Sequence, residues 1–97
     1  MKSIFIAYDQ AFHDQVLSIL RGNNVRGFTN WDPVQGRGSK TGDPHLGTHA
    51  WPSMNGAILT VVEDDKVQTI LKDLKALDLT SEQMGLRAFV WNVEAMI

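Results

Sequence analysis

The chain has 97 residues, and nine Lys and Arg against eleven Asp and Glu leave a net charge of -2. With 43% apolar and only 21% charged residues it can build a core, burying roughly 65% of its unfolded surface at this size, so wholesale disorder is excluded. The absence of cysteine excludes a disulfide scaffold, a thiol nucleophile and any cysteine-ligated metal. Balanced charge argues against non-specific nucleic-acid binding, which needs a basic excess. The length is that of one domain, spanning residues 1–97.

Residues 2–9 read as a buried strand, apolar and rich in β-formers. Its apolar run, Ile4 to Tyr8, is too short for a signal-peptide core or a membrane span, so the expected location is cytoplasmic, with no membrane insertion. Asp9 is placed to cap a helix that carries Phe12, Val16, Ile19 and Leu20 on one face. Gly22, Asn23 and Asn24, which tolerate the left-handed conformation, end it. Residues 25–34 read as a second strand, with Pro33 suited to a sheet edge or to a point where pairing stops.

Residues 54–62 form a third strand candidate, and Glu63, Asp64 and Asp65 then supply acid at a helix start. Val67, Ile70, Leu71, Leu74 and Leu77 are the clearest helical stripe in the chain, with Asp73 and Asp78 expected on its solvated face. Residues 86–93 close the pattern as a strand with Arg87, Phe89, Trp91 and Val93 on one side. The order βαββαβ, with right-handed crossovers, specifies an α+β ferredoxin-like sandwich: a four-stranded antiparallel sheet with two helices on one face. Both sides of the strands are apolar, Ile4, Ile6 and Tyr8 against Phe5 and Ala7, and Phe89 and Trp91 against Ala88 and Val90. Helices cover only one side, so the other calls for copies of the same chain.

Between the second and third strands lies a loop, residues 35–53, with four glycines, two prolines, His45, His49, Arg37, Lys40 and Asp43. Antiparallel neighbours usually join through a few residues, and loops beyond about 12–15 residues are usually functional or disordered. This one has too little apolar content to fold alone and is expected to project. Gly36, Arg37, Gly38, Ser39 and Lys40 offer backbone N–H groups and two cations, chemistry suited to an anion or phosphate. The segment is not a Walker loop, because no Gly-Lys-Ser/Thr is present. His45 and His49, four residues apart, could with Asp43 hold a divalent metal, although Pro44 and Gly47 disfavour the helix that would align them. Trp31 and Trp51 flank the loop as anchors or stacking platforms. No serine sits in a Gly-x-Ser-x-Gly elbow and no acid–base pair is visible, so nothing here points to an enzyme.

Four segments carry a family resemblance over essentially the whole chain. They are Gly27-Phe28-Thr29, the glycines Gly36, Gly38 and Gly42, Val61 to Val67, and Gly85 to Glu94 with Arg87 among them. The chain resembles the PII nitrogen-regulatory signalling proteins, and especially their shorter PII-like relatives. The resemblance implies a non-catalytic homotrimer that binds an adenine nucleotide, or another small anionic effector, in clefts between subunits. It implies that residues 35–53 are the family's T-loop, which contacts a partner protein, with Lys40, His45, His49 and Trp51 as its contact residues. It places Gly27 and Thr29 near the base, Gly36, Arg37 and Gly38 at the loop root, and Gly85 and Arg87 near the phosphates. Arg87 stands where the family usually has Lys, so the cation is kept. Ser39, Lys40 and Thr41 stand where typical members have Arg, Gln and Lys, so the Gln that helps bind magnesium and 2-oxoglutarate is missing. The loop has no tyrosine to uridylylate. A second resemblance, to the trimeric cation-tolerance proteins of similar fold, goes with the metal set Asp43, His45 and His49.

Overall fold

The computed structural model describes residues 1–37, 43–50, 53–81 and 84–97. Strand β1 (Lys2–Asp9) runs down the middle of the molecule. The Asp9 carboxylate accepts from the backbone N–H of Ala11 at 2.9 Å, capping a short 3-10 turn that leads into helix α1 (His13–Gly22). Asn24 ends that helix in the left-handed region (φ 59°). Asn23 bonds back to the Ile19 carbonyl and across to the Asp73 carboxylate, tying the two helices together.

Strand β2 is shorter than the sequence suggests, Thr29–Val34. The preceding residues serve as a link instead of pairing. The Val25 N–H donates to the Leu20 carbonyl, and the Thr60 hydroxyl donates to the Gly27 carbonyl at 2.6 Å. Strand β3 (Asn55–Val62), helix α2 (Val67–Asp78, entered through a 3-10 turn at Asp64–Lys66) and strand β4 (Arg87–Asn92) complete the chain. Asp73 and Asp78 are therefore not merely a solvated face. Asp73 meets Asn23, and Asp78 accepts from the Leu86 N–H at 3.0 Å, fixing where β4 begins.

The sheet order is β2-β3-β1-β4, every pair antiparallel, which is the ferredoxin-like arrangement expected. β2 is an edge strand, and its register with β3 shifts between Trp31 and Val34, the span that holds Pro33. Period-two alternation sorts the side chains. Ile4, Ile6 and Tyr8, with Ile58 from β3, face the helices and pack on Val16, Leu20, Ile70 and Leu74. Their neighbours in the register, Ser3, Phe5 and Ala7 against Val61, Leu59 and Ala57, and against Trp91, Phe89 and Arg87, share the opposite face. Among the described residues no helix is long and apolar enough to cross a membrane.

Tyr8 shows how tight the helix side is. It lies opposite Gly56, and a Cβ on Gly56 would come within 2.7 Å of the phenol ring. The Tyr8 hydroxyl lies within hydrogen-bond distance of His13 Nδ1, at 2.6 Å. Burial, reinforced by the negative charge of Asp32, pushes the Tyr8 phenol up to about 12.

Candidate functional site

Where the loop leaves β2, the uncovered sheet face bends into a cleft of about 420 Å³. Its floor is Phe5, Ala7, Ala57 and Phe89; one wall is Val34 to Arg37 with Asn55, and the other is Gly85 and Arg87. The two walls are far apart in sequence and meet because β1 lies between β3 and β4. Gly36, Arg37, Gly85 and Arg87, four residues singled out from the sequence, thus converge on one cavity.

Each wall has a local reason for its shape. Gly36 pairs with His45 in an antiparallel bridge, Gly36 N–H to His45 carbonyl at 2.9 Å and His45 N–H to Gly36 carbonyl at 2.7 Å. A Cβ on Gly36 would lie 2.1 Å from the Asn55 side-chain nitrogen, so a larger residue there would have to displace the Asn55 amide. Gly85 holds φ at +58°, which turns the chain from the helix layer into β4. Arg87 is half-buried and donates from Nη1 to the Leu86 carbonyl at 2.8 Å, which steadies the guanidinium at the cleft wall. Arg37 is exposed at the opposite wall. Two cations above an apolar aromatic floor suit a ligand with a flat apolar part and an anionic part.

Gly27 and Thr29 do not join this cleft. With Phe28, Leu59, Thr60 and Val61 they line a second one, of about 300 Å³, toward the other end of β3. Gly38, Lys40 and Trp51 lie outside the described residues.

The structure does not bring the proposed metal set together. Asp43 and His49 are exposed while His45 is buried, and no group of three or more His, Asp or Glu able to hold a metal forms among the described residues. The cause is the bridge to Gly36, which draws His45 inward. There its Nδ1 lies 2.5 Å from Asn55 Oδ1 and its Nε2 3.7 Å from Asp9 Oδ2. The described part of the loop is not a simple projection, because Pro44 and His45 are buried and Gln35 Nε2 donates to the Leu46 carbonyl at 2.9 Å. Sequence reading also passed over Asn55, a polar residue at the head of an apolar strand. The available signal was its place in the sequence, a polar residue just ahead of the apolar run from Ala57 to Val62.

The family model for the nitrogen regulatory protein P-II matches residues 1–97. No curated protein matches the sequence. Among solved structures, one of a PII-like signaling protein from Thermus thermophilus is 21% identical with a TM-score of 0.68, covering 95% of this chain and 85% of that one. CPII, a nitrogen regulatory PII-like protein from Thiomonas intermedia solved with ADP, AMP and bicarbonate, is 17% identical with a TM-score of 0.73, covering 97% of this chain and 88% of its own. A second CPII structure, bound to ADP and bicarbonate, gives a TM-score of 0.71 at 17% identity with the same coverage. At these identities the solved structures speak for the fold.

Proposed function

The chain belongs to the nitrogen regulatory protein P-II family, and on that premise we propose that it is a non-catalytic signalling protein. It takes an adenine nucleotide, or a ligand of like chemistry, into the cleft at the loop root and reports occupancy to a partner protein through residues 35–53. The observation that carries this reading is the convergence of Gly36, Arg37, Gly85 and Arg87 on one cavity. The aromatic floor suits a base, and the two guanidiniums suit phosphates. CPII, of the same fold, was solved with ADP and AMP.

The working unit in this reading is a trimer. The cleft opens on the sheet face that no helix covers, where Trp31, Phe89 and Trp91 are 45%, 57% and 49% exposed. Aromatic surface of that extent on a sheet face is typical of an interface. A second copy packed on it would bring its own Gly27 and Thr29 toward the first copy's Arg37 and Arg87, completing a site that a single chain leaves in two parts. The signal is a population shift, in which the ligand favours one loop state over the other.

The test is calorimetric titration with ATP, ADP and AMP, with tryptophan fluorescence as a second readout. Wild-type protein is expected to bind at least one of them saturably, and Arg87→Ala to weaken that binding about tenfold to a hundredfold, the loss of one charge-assisted hydrogen bond. Unchanged affinity removes Arg87 from the site. No saturable binding by any of the three sinks the nucleotide reading.

A further inference from the structure

Asn55 belongs both to the cleft and to the loop. It opens β3, opposite Asp9 on β1 and Val34 on β2. It is polar yet only 7% exposed, so its amide needs partners. The oxygen has one, His45 Nδ1 at 2.5 Å. A carboxamide oxygen only accepts, so the imidazole carries its proton on Nδ1 and donates it. The nitrogen is on the other side of the amide. It lies over Gly36 at the cleft wall, so close that a Cβ there would come within 2.1 Å. An amide nitrogen only donates. What Asn55 offers an occupant of the cleft is therefore a hydrogen bond to an acceptor oxygen, the same chemistry that Arg37 and Arg87 seek.

His45 is in turn held from three sides. Its backbone makes both bonds of the bridge to Gly36. Its Nδ1 holds Asn55, and its Nε2 lies 3.7 Å from the carboxylate of Asp9, an ion pair when that nitrogen is protonated as well. Asp9 cannot swing away freely, because its other oxygen caps Ala11. Among the described residues Asp9 is the charged group within ion-pair range of this imidazole. A continuous set of contacts thus runs from the start of the first helix through Asp9, His45 and Asn55 to the cleft wall. His45 is also the residue at which the loop returns to the sheet.

We propose that Asn55 is a ligand-contacting residue of this cleft, selective for acceptor-oxygen groups, and that His45 is its positioning residue. Cleft occupancy and docking of the loop's return arm then form one coupled equilibrium. An occupant that accepts from the Asn55 nitrogen fixes the plane of the amide, and with it the direction of the oxygen that His45 needs. Release of His45 frees the amide to rotate off the ligand. Linkage makes the effect reciprocal: docking tightens the cleft by the factor with which occupancy tightens docking. The ligand half of this proposal rests on the reading of the cleft as the effector site; the link between His45 and Asn55 does not.

The experiment is a double-mutant cycle on the full chain with ADP as probe, read by calorimetry. His45→Ala and Asn55→Ala are each expected to weaken ADP about tenfold, and the double variant about tenfold as well, because both remove the same contact. His45→Asn, which returns an N–H donor near the place of Nδ1, is expected to recover most of the loss. Additive losses of about a hundredfold, or failure of His45→Asn to rescue, overturn the proposal. Backbone amide exchange at Gly36 and His45, measured on the same proteins without nucleotide, reads the link by itself. Protection is expected to fall alike in His45→Ala and Asn55→Ala and to return in His45→Asn; protection unchanged in Asn55→Ala overturns the link. Asn55→Ser, smaller and still polar, replaces the alanine variant if that one does not fold. If wild-type protein ignores ADP while the exchange pattern holds, the ligand half falls with the nucleotide reading and the link stands.

Discussion

The two faces of the sheet carry similar side chains but are treated differently by the rest of the chain. Toward the helices, Ile4, Ile6, Tyr8 and Ile58 are fully buried beneath Val16, Leu20, Ile70 and Leu74. On the other side Phe5, Leu59 and Val61 are half-buried, and Trp31, Phe89 and Trp91 stay open. Composition does not separate the two. The crossovers do, because both βαβ halves are right-handed and so put both helices on one side. The covered face is thus the core of the chain, and the uncovered one, where the cleft also opens, is available for assembly and for ligand. Stability rests on one surface of the sheet, and the proposed function on the other.

The comparison breaks most visibly in the core. Leu74→Ala, at a residue 1% exposed, is expected to cost about 2–5 kcal/mol in chemical denaturation, from lost burial and the cavity left behind. A loss well under 1 kcal/mol would mean that the helices are not what closes this face.

Tyr8 sharpens the same contrast through pH. Its phenol is pushed up to about 12, whereas an unfolded tyrosine titrates near 10. Below pH 10 both states hold the proton, and the contribution of Tyr8 is whole. Between the two values the unfolded chain loses its proton first, so stability falls by up to about 1.4 kcal/mol per pH unit until the folded phenol ionises too. The chain has one tyrosine, so the phenolate absorbance of the native protein reads this residue alone. A native midpoint near 12 is expected, and one near 10 would put the ring in water.

The smallest effect on the fold is expected on the uncovered face. Phe89→Glu, at a position 57% exposed, should leave the stability of the single chain within about 0.5 kcal/mol. In the proposed assembly it should instead shift sedimentation from trimer to monomer. A wild-type protein that already sediments as a monomer would leave this face without the role proposed for it.

Most of the fold was legible in the sequence because most of it is local. Asp9 as a cap, Asn24 as a left-handed stop and the stripe from Val67 to Leu77 each involve residues within a turn or two of one another. The boundaries were less legible. Nothing in Val25 to Phe28 distinguishes a strand from a link; the deciding contacts are to Leu20 and Thr60, one in the preceding helix and one in a later strand. Of the residues that line the cleft, Gly36, Arg37, Gly85 and Arg87 were singled out through family resemblance, while Asn55 was passed over because it belongs to no motif. The surroundings of His45 were hidden for the same reason. Its neighbours in the chain suggest a solvated loop histidine or a metal ligand, and its neighbours in space are Asn55 and Asp9.

By itself, then, the sequence determined the order of the elements, the hand of the crossovers and the two-sided apolar character of the sheet. Periodicity, capping and chirality act between residues close along the chain, and they need no partner from elsewhere. Tertiary structure alone decided that Gly36 and Gly85 should share a cleft, that Gly27 and Thr29 should lie in another, and that His45 should be buried rather than exposed. Those outcomes depend on strand order and register, through which β1 sets residues far apart in the chain on either side of one cavity.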